Sequence, residues 1–300
     1  MLNNSKRITL GIDIGGTRIK SVAVAYPDIV LEEHRIDSEA KHGPNAVREA
    51  VKRAITYYKE RGVPFLGIGM GCAGSVDPKN GVVLNSPNFS DWKDVPLAQW
   101  AREDFGLPVV VGNDANCAMF TEWKIGNAQG YDNALLLTFG TGVGGGLILN
   151  GKLYAGSTGT AGELGHFSIH AGGIWCPCGN RGCFERYCSA SALELAAKGV
   201  GAKEVFARSN EEPFRSILQR FMDDLNIGVT SLANVFDPDC ILLGGGLSKG
   251  IVDHLEDIQA WVRKHAFPAV AKHVKIIPTK FANQSGAIGA ALLAQELISG

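Results

Sequence analysis

Two kinds of apolar pattern alternate along this chain. Continuous or every-second apolar runs read as strands, and apolar residues spaced three or four apart read as one face of a helix. Ile8 to Ile14 and Ile19 to Ala25 are strands, so the glycines between them make a hairpin-like turn. Val47, Val51, Ile55 and Tyr58 share a helical face that starts near Pro44 and stops at Gly62. Phe65 to Met70, Val109 to Val111 and Ala134 to Thr138 are further strands, each running into a turn that contains glycine. Ser191 and Glu194 read as a capping box for a short helix ending near Gly199. A long amphipathic helix is predicted from Pro213 to about Val235, where Asp237-Pro238 breaks it. Cys240 to Leu243 is a buried strand, and Ile251, Leu255, Ile258 and Val262 mark one more helix. Val274 to Ile277 is the last strand, followed by a small-residue helix from Gly286 to Leu297. The alternation predicts an α/β protein, and 300 residues exceed what one core holds easily, so two lobes are expected.

Three strand ends carry glycine-rich turns: Gly15-Gly16-Thr17, Gly140 through Gly146, and Gly244-Gly245-Gly246. Glycine lets backbone N–H groups approach phosphate oxygens and permits the angles that aim several of them at one anion. Thr17 and Thr141 add hydroxyl donors. None of the turns is a P-loop or a dinucleotide fingerprint, and a single one is more often only a tight turn. Three at strand ends point to nucleotide phosphates, with Gly15, Gly16, Thr17, Thr141, Gly142, Gly144 and Gly245 as candidate ligands. Asp13, just before the first turn, is placed to face Mg2+ between phosphates, or else is a turn-forming Asp. Asp114, in G-N-D-A-N after an apolar strand, either projects from the strand end or is the N-cap of the helix through Ala118 and Trp123.

The segment E-L-G-H, then nine residues, then C-P-C-G-N-R-G-C-F-E packs His166, Cys176, Cys178 and Cys183 between Glu163 and Glu185. Three thiolates and an imidazole form a closed tetrahedral set, which suits a structural Zn2+ with no open position for water. The alternatives are a disulfide, a chance crowding of cysteines, or Cys188 as the fourth ligand in place of His166. C-x-C-x4-C with a preceding His is a metal-type spacing, and seven cysteines do not pair fully.

Composition narrows the function classes. The start of the chain has no apolar segment of a secretory signal, and the least polar run, Leu135 to Leu149, is too short and too glycine-rich to span a bilayer. A cytoplasmic location, with reduced thiols available to metal, is expected. The net charge of −1 offers no electrostatic footprint for nucleic acid or an anionic membrane.

D-I-G-G-T-R-I-K, N-D-A-N, F-G-T-G-V-G-G-G, the E-L-G-H and cysteine segment, and L-L-G-G-G together resemble the ROK family of bacterial sugar kinases, in the family's order from about Ile8 to Ala291. The resemblance implies the ribonuclease-H-like fold of actin, hexokinase and the Hsp70 ATPase, with two lobes around a cleft. The boundaries drawn from it are residues 1–112 for a small lobe, 113–286 for a large lobe carrying the zinc loop, and a final helix, 287–300, returning to the first. It implies ATP with Mg2+ as phosphoryl donor, a family-type Zn2+, Asp114 as the general base on the sugar's primary 6-hydroxyl, and a homodimer or homotetramer. By the same resemblance Asn88, Asn113, Asp114, Glu163, His166 and Glu185 surround the sugar. One nitrogen of His166 would ligate zinc while the other donates to a hydroxyl.

Residues 86 to 97, S-P-N-F-S-D-W-K-D-V-P-L, are similar to glucokinase-like members, which makes glucose the expected hexose. N-acetylglucosamine or N-acetylmannosamine comes next, then fructose, mannose or allose. A DNA-binding repressor of the same family is disfavoured by the charge balance and by a first phosphate motif close to the start of the chain. A non-catalytic sugar sensor and a polyphosphate-using kinase stay open. The zinc loop is expected to serve the sugar separately from the glycine turns, which lie far from it in sequence.

Overall fold

A computed structural model describes residues 7–86, 89, 91–281 and 284–299. The chain divides into two compact units, unit 1 comprising residues 1–125, 155–161 and 284–300 and unit 2 comprising 126–154 and 162–283.

Unit 1 opens with β1 (Ile8–Ile14), β2 (Arg18–Ala25) and β3 (Ile29–Asp37) as an antiparallel meander, followed by α1 (Pro44–Glu60) and β4 (Phe65–Cys72). A small three-stranded sheet follows, β5 (Ser75–Asp77), β6 (Val82–Asn85) and β7 (Lys93–Val95). Then come α2 (Leu97–Phe105), β8 (Val109–Asn113) and α3 (Asp114–Ile125). The main sheet runs β3-β2-β1-β4-β8, with β1, β4 and β8 parallel. The apolar stripe expected on α1 is buried as Val47, Val51, Ile55 and Tyr58, packed with Leu10, Ile12 and Ile68 of the sheet.

Unit 2 repeats the plan. β9 (Ala134–Phe139), β10 (Val143–Leu149) and β11 (Lys152–Leu153) form the meander. The cysteine segment and α4 (Glu185–Cys188), α5 (Ala190–Ala196), α6 (Ala202–Ala207) and α7 (Phe214–Phe236) lie between it and β12 (Cys240–Gly244). α8 (Ser248–Val252), α9 (Leu255–His265), α10 (Pro268–Ala271) and β13 (Lys275–Pro278) complete it. Its sheet runs β11-β10-β9-β12-β13, the same order as in unit 1, with β9, β12 and β13 parallel. Leu218, Phe221, Leu225, Val229 and Leu232 of α7 bury one face of that helix against Leu135, Leu137 and Leu243. A meander joined to a parallel pair, in the order 3-2-1-4-5 and present twice, is the ribonuclease-H-like arrangement that the resemblance implied.

The last helix, α11 (Ser285–Ser299), belongs to unit 1, where it packs on β1, β4 and α3. The approach is so close that glycine is the only residue accommodated at the crossing. A Cβ on Gly69 would lie 1.8 Å from the Ala290 carbonyl oxygen, and one on Gly289 would lie 1.8 Å from that of Cys117. This packing also explains why the unit boundary falls after Ile125 rather than after residue 112: α3 is held by α11 and β8, so it stays with unit 1.

Three further expectations shift. The predicted helix through Ile251 and Val262 is two helices, α8 and α9. The cap of α5 is Ser189, whose hydroxyl accepts from the Ala192 N–H at 3.1 Å, two residues ahead of the expected Ser191. The glycine-rich stretch from Gly140 to Gly146 is a turn only from Gly140 to Gly142, because Val143 onward pairs with β9 as β10. Its glycines admit the chain before the cysteine segment: a Cβ on Gly145 would meet the Gly162 carbonyl at 2.7 Å.

The α11 packing is testable by thermal melting. Gly69→Ala is expected to destabilise unit 1 by about 3 kcal/mol through overpacking against rigid backbone. Gly201→Ala, where φ is −61° and the new Cβ meets nothing within 4 Å, should stay within about 0.5 kcal/mol of wild type.

Candidate functional site

In unit 1 the hairpin register puts Asp13 opposite Lys20, whose Nζ lies 3.4 Å from Asp13 Oδ2. Burial raises the Asp13 carboxyl above its ordinary value, and Lys20 opposes that shift. Lys20 was missed from the sequence, although the pairing of Ile14 with Ile19 across the turn makes Asp13 and Lys20 cross-strand partners on one face. Gly286, at the start of α11, leaves the carboxylate its space, since a Cβ there would sit 3.1 Å from Asp13 Cγ. The turn itself is closed by a Gly15 N–H bond to the Arg18 carbonyl at 3.0 Å, and the Thr17 carbonyl accepts from Ser38 N–H at 3.0 Å. A hard carboxylate beside an ammonium, under a glycine turn, fits Mg2+ brought in with a nucleotide.

The two readings of Asp114 separate in the structure. Asn113 is the residue that caps α3: its Oδ1 accepts from the N–H groups of Ala115 at 2.9 Å and Asn116 at 3.1 Å. Its amide nitrogen donates to the Gly74 carbonyl at 3.0 Å. Asp114 is therefore the first residue of the helix, half-buried, with Oδ1 accepting from the Ala115 N–H at 2.9 Å. Asn113, expected at the sugar, has its side chain bonded into the fold. Asn88 lies outside the described residues.

In unit 2 the metal set assembles as the spacing predicted. The ligand atoms of His166, Cys176, Cys178 and Cys183 all lie within 4.8 Å of one another. His166 Nδ1 is 3.6 Å from Cys176 Sγ, and Cys178 Sγ is 3.6 Å from Cys183 Sγ. Zinc–thiolate bonds of about 2.3 Å in a tetrahedron put sulfurs about 3.8 Å apart, so the residues fit Zn2+. A disulfide needs about 2.05 Å, and all seven cysteines are free. Cys188 is not the fourth ligand: it is buried against α7, with Sγ 3.8 Å from the Phe221 carbonyl. Burial pushes the Cys183 thiol up to about 12 in the metal-free cluster, so metal uptake must displace protons.

The same imidazole turns its other nitrogen toward Glu163, with Nε2 to Oε2 at 3.8 Å. Desolvation raises the Glu163 carboxyl, with His166 lowering it and Glu185 raising it further. Glu185 Oε2 accepts from the Val143 N–H at 2.9 Å, in space that exists because Gly142 has no side chain; a Cβ there would lie 2.2 Å from that oxygen. The Ser191 hydroxyl donates to the Thr141 carbonyl at 2.8 Å. The expected independence of zinc loop and glycine turn is thus corrected: residues far apart in sequence meet at Thr141 to Val143. Gly144, expected in the turn, lies within β10 opposite Thr138. Gly245 does form a turn, with φ of 89° and a Cβ position only 2.4 Å from the Phe139 carbonyl.

Zinc content checks the cluster. About one Zn2+ per chain is expected after purification without added metal, and Cys178→Ser should lose most of it. Elemental analysis that finds no zinc in folded wild-type protein would remove the metal reading.

Comparison with known proteins gives the lineage. The glucokinase of Streptomyces coelicolor is 31% identical over 96% of this chain and 98% of its own length. A ROK family glucokinase from Streptomyces griseus, solved in complex with glucose and AMPPNP, superposes with a TM-score of 0.81 at 31% identity, over 96% of this chain and 99% of that one. The xylose repressor of Bacillus subtilis is 28% identical over 96% of this chain and 77% of its own. The ROK family profile matches residues 9–297, and the chain belongs to the ROK family.

Proposed function

We propose that this chain is an ATP-dependent hexose kinase that phosphorylates the primary 6-hydroxyl of glucose. The observation that carries the reading is the division of labour at the start of α3, where Asn113 caps the helix and Asp114 stands as its first residue. A carboxylate presented there, after a strand end, suits a general base that accepts the hydroxyl proton as the phosphoryl group arrives. Glu163, His166 and Glu185 supply acceptors and a donor for the remaining hydroxyls. The turns at Gly16-Thr17, Thr141-Gly142 and Gly245 supply backbone N–H groups for the triphosphate, the Gly15 and Gly140 N–H groups being bonded within their own turns. Mg2+, when bound with ATP, neutralises phosphate charge, and Asp13 is the residue to hold it.

Glucose ranks first because glucokinases are among the relatives and because of the S-P-N-F stretch. N-acetylhexosamines follow, and polyphosphate is the alternative donor. The match to xylose repressors favours a second reading, a sugar-binding regulator without turnover. A panel of hexoses and donors with ADP or phosphate detection separates these readings: glucose-dependent ADP formation is expected, and sugar binding with no turnover on any hexose would favour the regulator.

Asp114→Ala is expected to lose turnover by about 100- to 10,000-fold while binding glucose close to wild type. Retention of a tenth of wild-type kcat in steady-state assays would show that Asp114 is not the base.

A further inference from the structure

Among the described residues, three groups from the chain following the cysteine cluster bond to the Gly140 to Gly142 turn and to Val143 beside it, and the turn closes on itself from the Gly140 N–H to the Gly142 carbonyl at 2.9 Å. Glu185 Oε2 accepts from Val143 N–H at 2.9 Å, the Ala190 N–H donates to the Gly140 carbonyl at 2.8 Å, and the Ser191 hydroxyl donates to the Thr141 carbonyl at 2.8 Å. Thr141 itself is exposed, so solvent would otherwise leave this turn free to rearrange. Glu185 is in turn fixed by the metal segment. Its N–H donates to the Gly165 carbonyl at 2.9 Å, next to His166, and it lies two residues beyond Cys183. Gly165 also packs on the strand, where a Cβ would come 2.2 Å from the Val143 carbonyl. Val143, the residue that follows the turn, is therefore bonded at its N–H and closely packed at its carbonyl.

A backbone turn binds phosphate well only if its N–H groups already converge, because ordering them on binding costs free energy. We propose that Glu185 is a positioning residue for the nucleotide turn, so that one carboxylate both receives the hexose and presets the backbone expected to bind ATP phosphates. This deepens the proposed function and rests on it. The consequence is coupling between the two substrates. A hydroxyl donating to the Glu185 carboxylate restrains the same group that restrains Val143, so hexose and nucleotide tighten one another by an equal factor. Glu185 acting on the sugar alone would leave nucleotide affinity in the absence of sugar unchanged.

The experiment is calorimetric binding of the ATP analogue AMPPNP with Mg2+, without hexose, to folded full-length protein, paired with glucose binding to the same variants. Glu185→Ala removes the acceptor and is expected to weaken AMPPNP about 10-fold, in line with the loss of a charged hydrogen bond. Glu185→Gln keeps an oxygen for Val143 N–H and should stay within about 2-fold for AMPPNP, while both variants weaken glucose. Ser191→Ala, outside the sugar set, should weaken AMPPNP about 3-fold and leave glucose binding unchanged, which decides the matter even if Glu185→Ala fails to fold. Wild-type AMPPNP affinity in Glu185→Ala or Ser191→Ala, or equal losses in Glu185→Ala and Glu185→Gln, overturns the inference while the kinase reading stands. Wild-type protein that binds no AMPPNP overturns both.

Discussion

His166, Cys176, Cys178 and Cys183 gather four donor atoms within 4.8 Å of one another in the long segment between Glu163 and Glu185, and the directions of those two carboxylates depend on how that segment is held. The segment has little regular structure of its own: two isolated bridges, Ser168 with Cys183 and Trp175 with Arg181, are its ladder. A loop of this length carries conformational entropy that hydrogen bonds on the surface do not offset. A Zn2+ held by the four residues would offset it, acting at both ends at once. His166 Nδ1 faces the cluster and its Nε2 faces Glu163, while Glu185 follows Cys183 directly into α4. Fixing the cluster therefore fixes two carboxylates, and through Glu185 it fixes the backbone at Val143.

Unit 1 depends on close backbone packing. Its device is the absence of side chains where α11 crosses β4 and α3, so that helix and sheet backbones touch at Gly69 and Gly289. That contact brings Gly286 against Asp13, where a side chain would crowd the carboxylate. The ammonium of Lys20 then offsets part of the desolvation that burial imposes on Asp13. Placement of a charged group thus involves close packing in one unit and hydrogen bonds to distant backbone in the other.

The repeated sheet order explains why both units present a glycine turn in the same place. In each, the first two strands form a hairpin whose turn lies at the end of a strand that also heads the parallel part of the sheet. The positions before the turns have diverged: Asp13 in β1 pairs with Lys20, whereas Thr138 in β9 pairs with Gly144. Unit 1 places a carboxylate beside its turn and pairs it with an ammonium. Unit 2 leaves its turn bare and braces it from outside with Glu185 and Ser191.

Sequence alone determined whatever depends on neighbours along the chain. Apolar period located the strands of the two five-stranded sheets except β3, β10 and β11, and the spacing of His166 with three cysteines picked out four residues that the fold brings together. β3 escaped because Ile29–Asp37 is an edge strand, exposed at every second residue and largely charged, and β10 because its glycines read as a turn. Tertiary structure decided what depends on distant backbone. Whether Asn113 or Asp114 caps α3 turns on Gly74, which anchors the Asn113 amide, and nothing local in N-D-A-N distinguishes the two. That Gly142 makes room for Glu185 turns on a chain segment more than forty residues away. Local periodicity encodes elements because backbone geometry repeats over a few residues, while the contacts that aim a carboxylate arise only after non-local packing has closed the chain on itself.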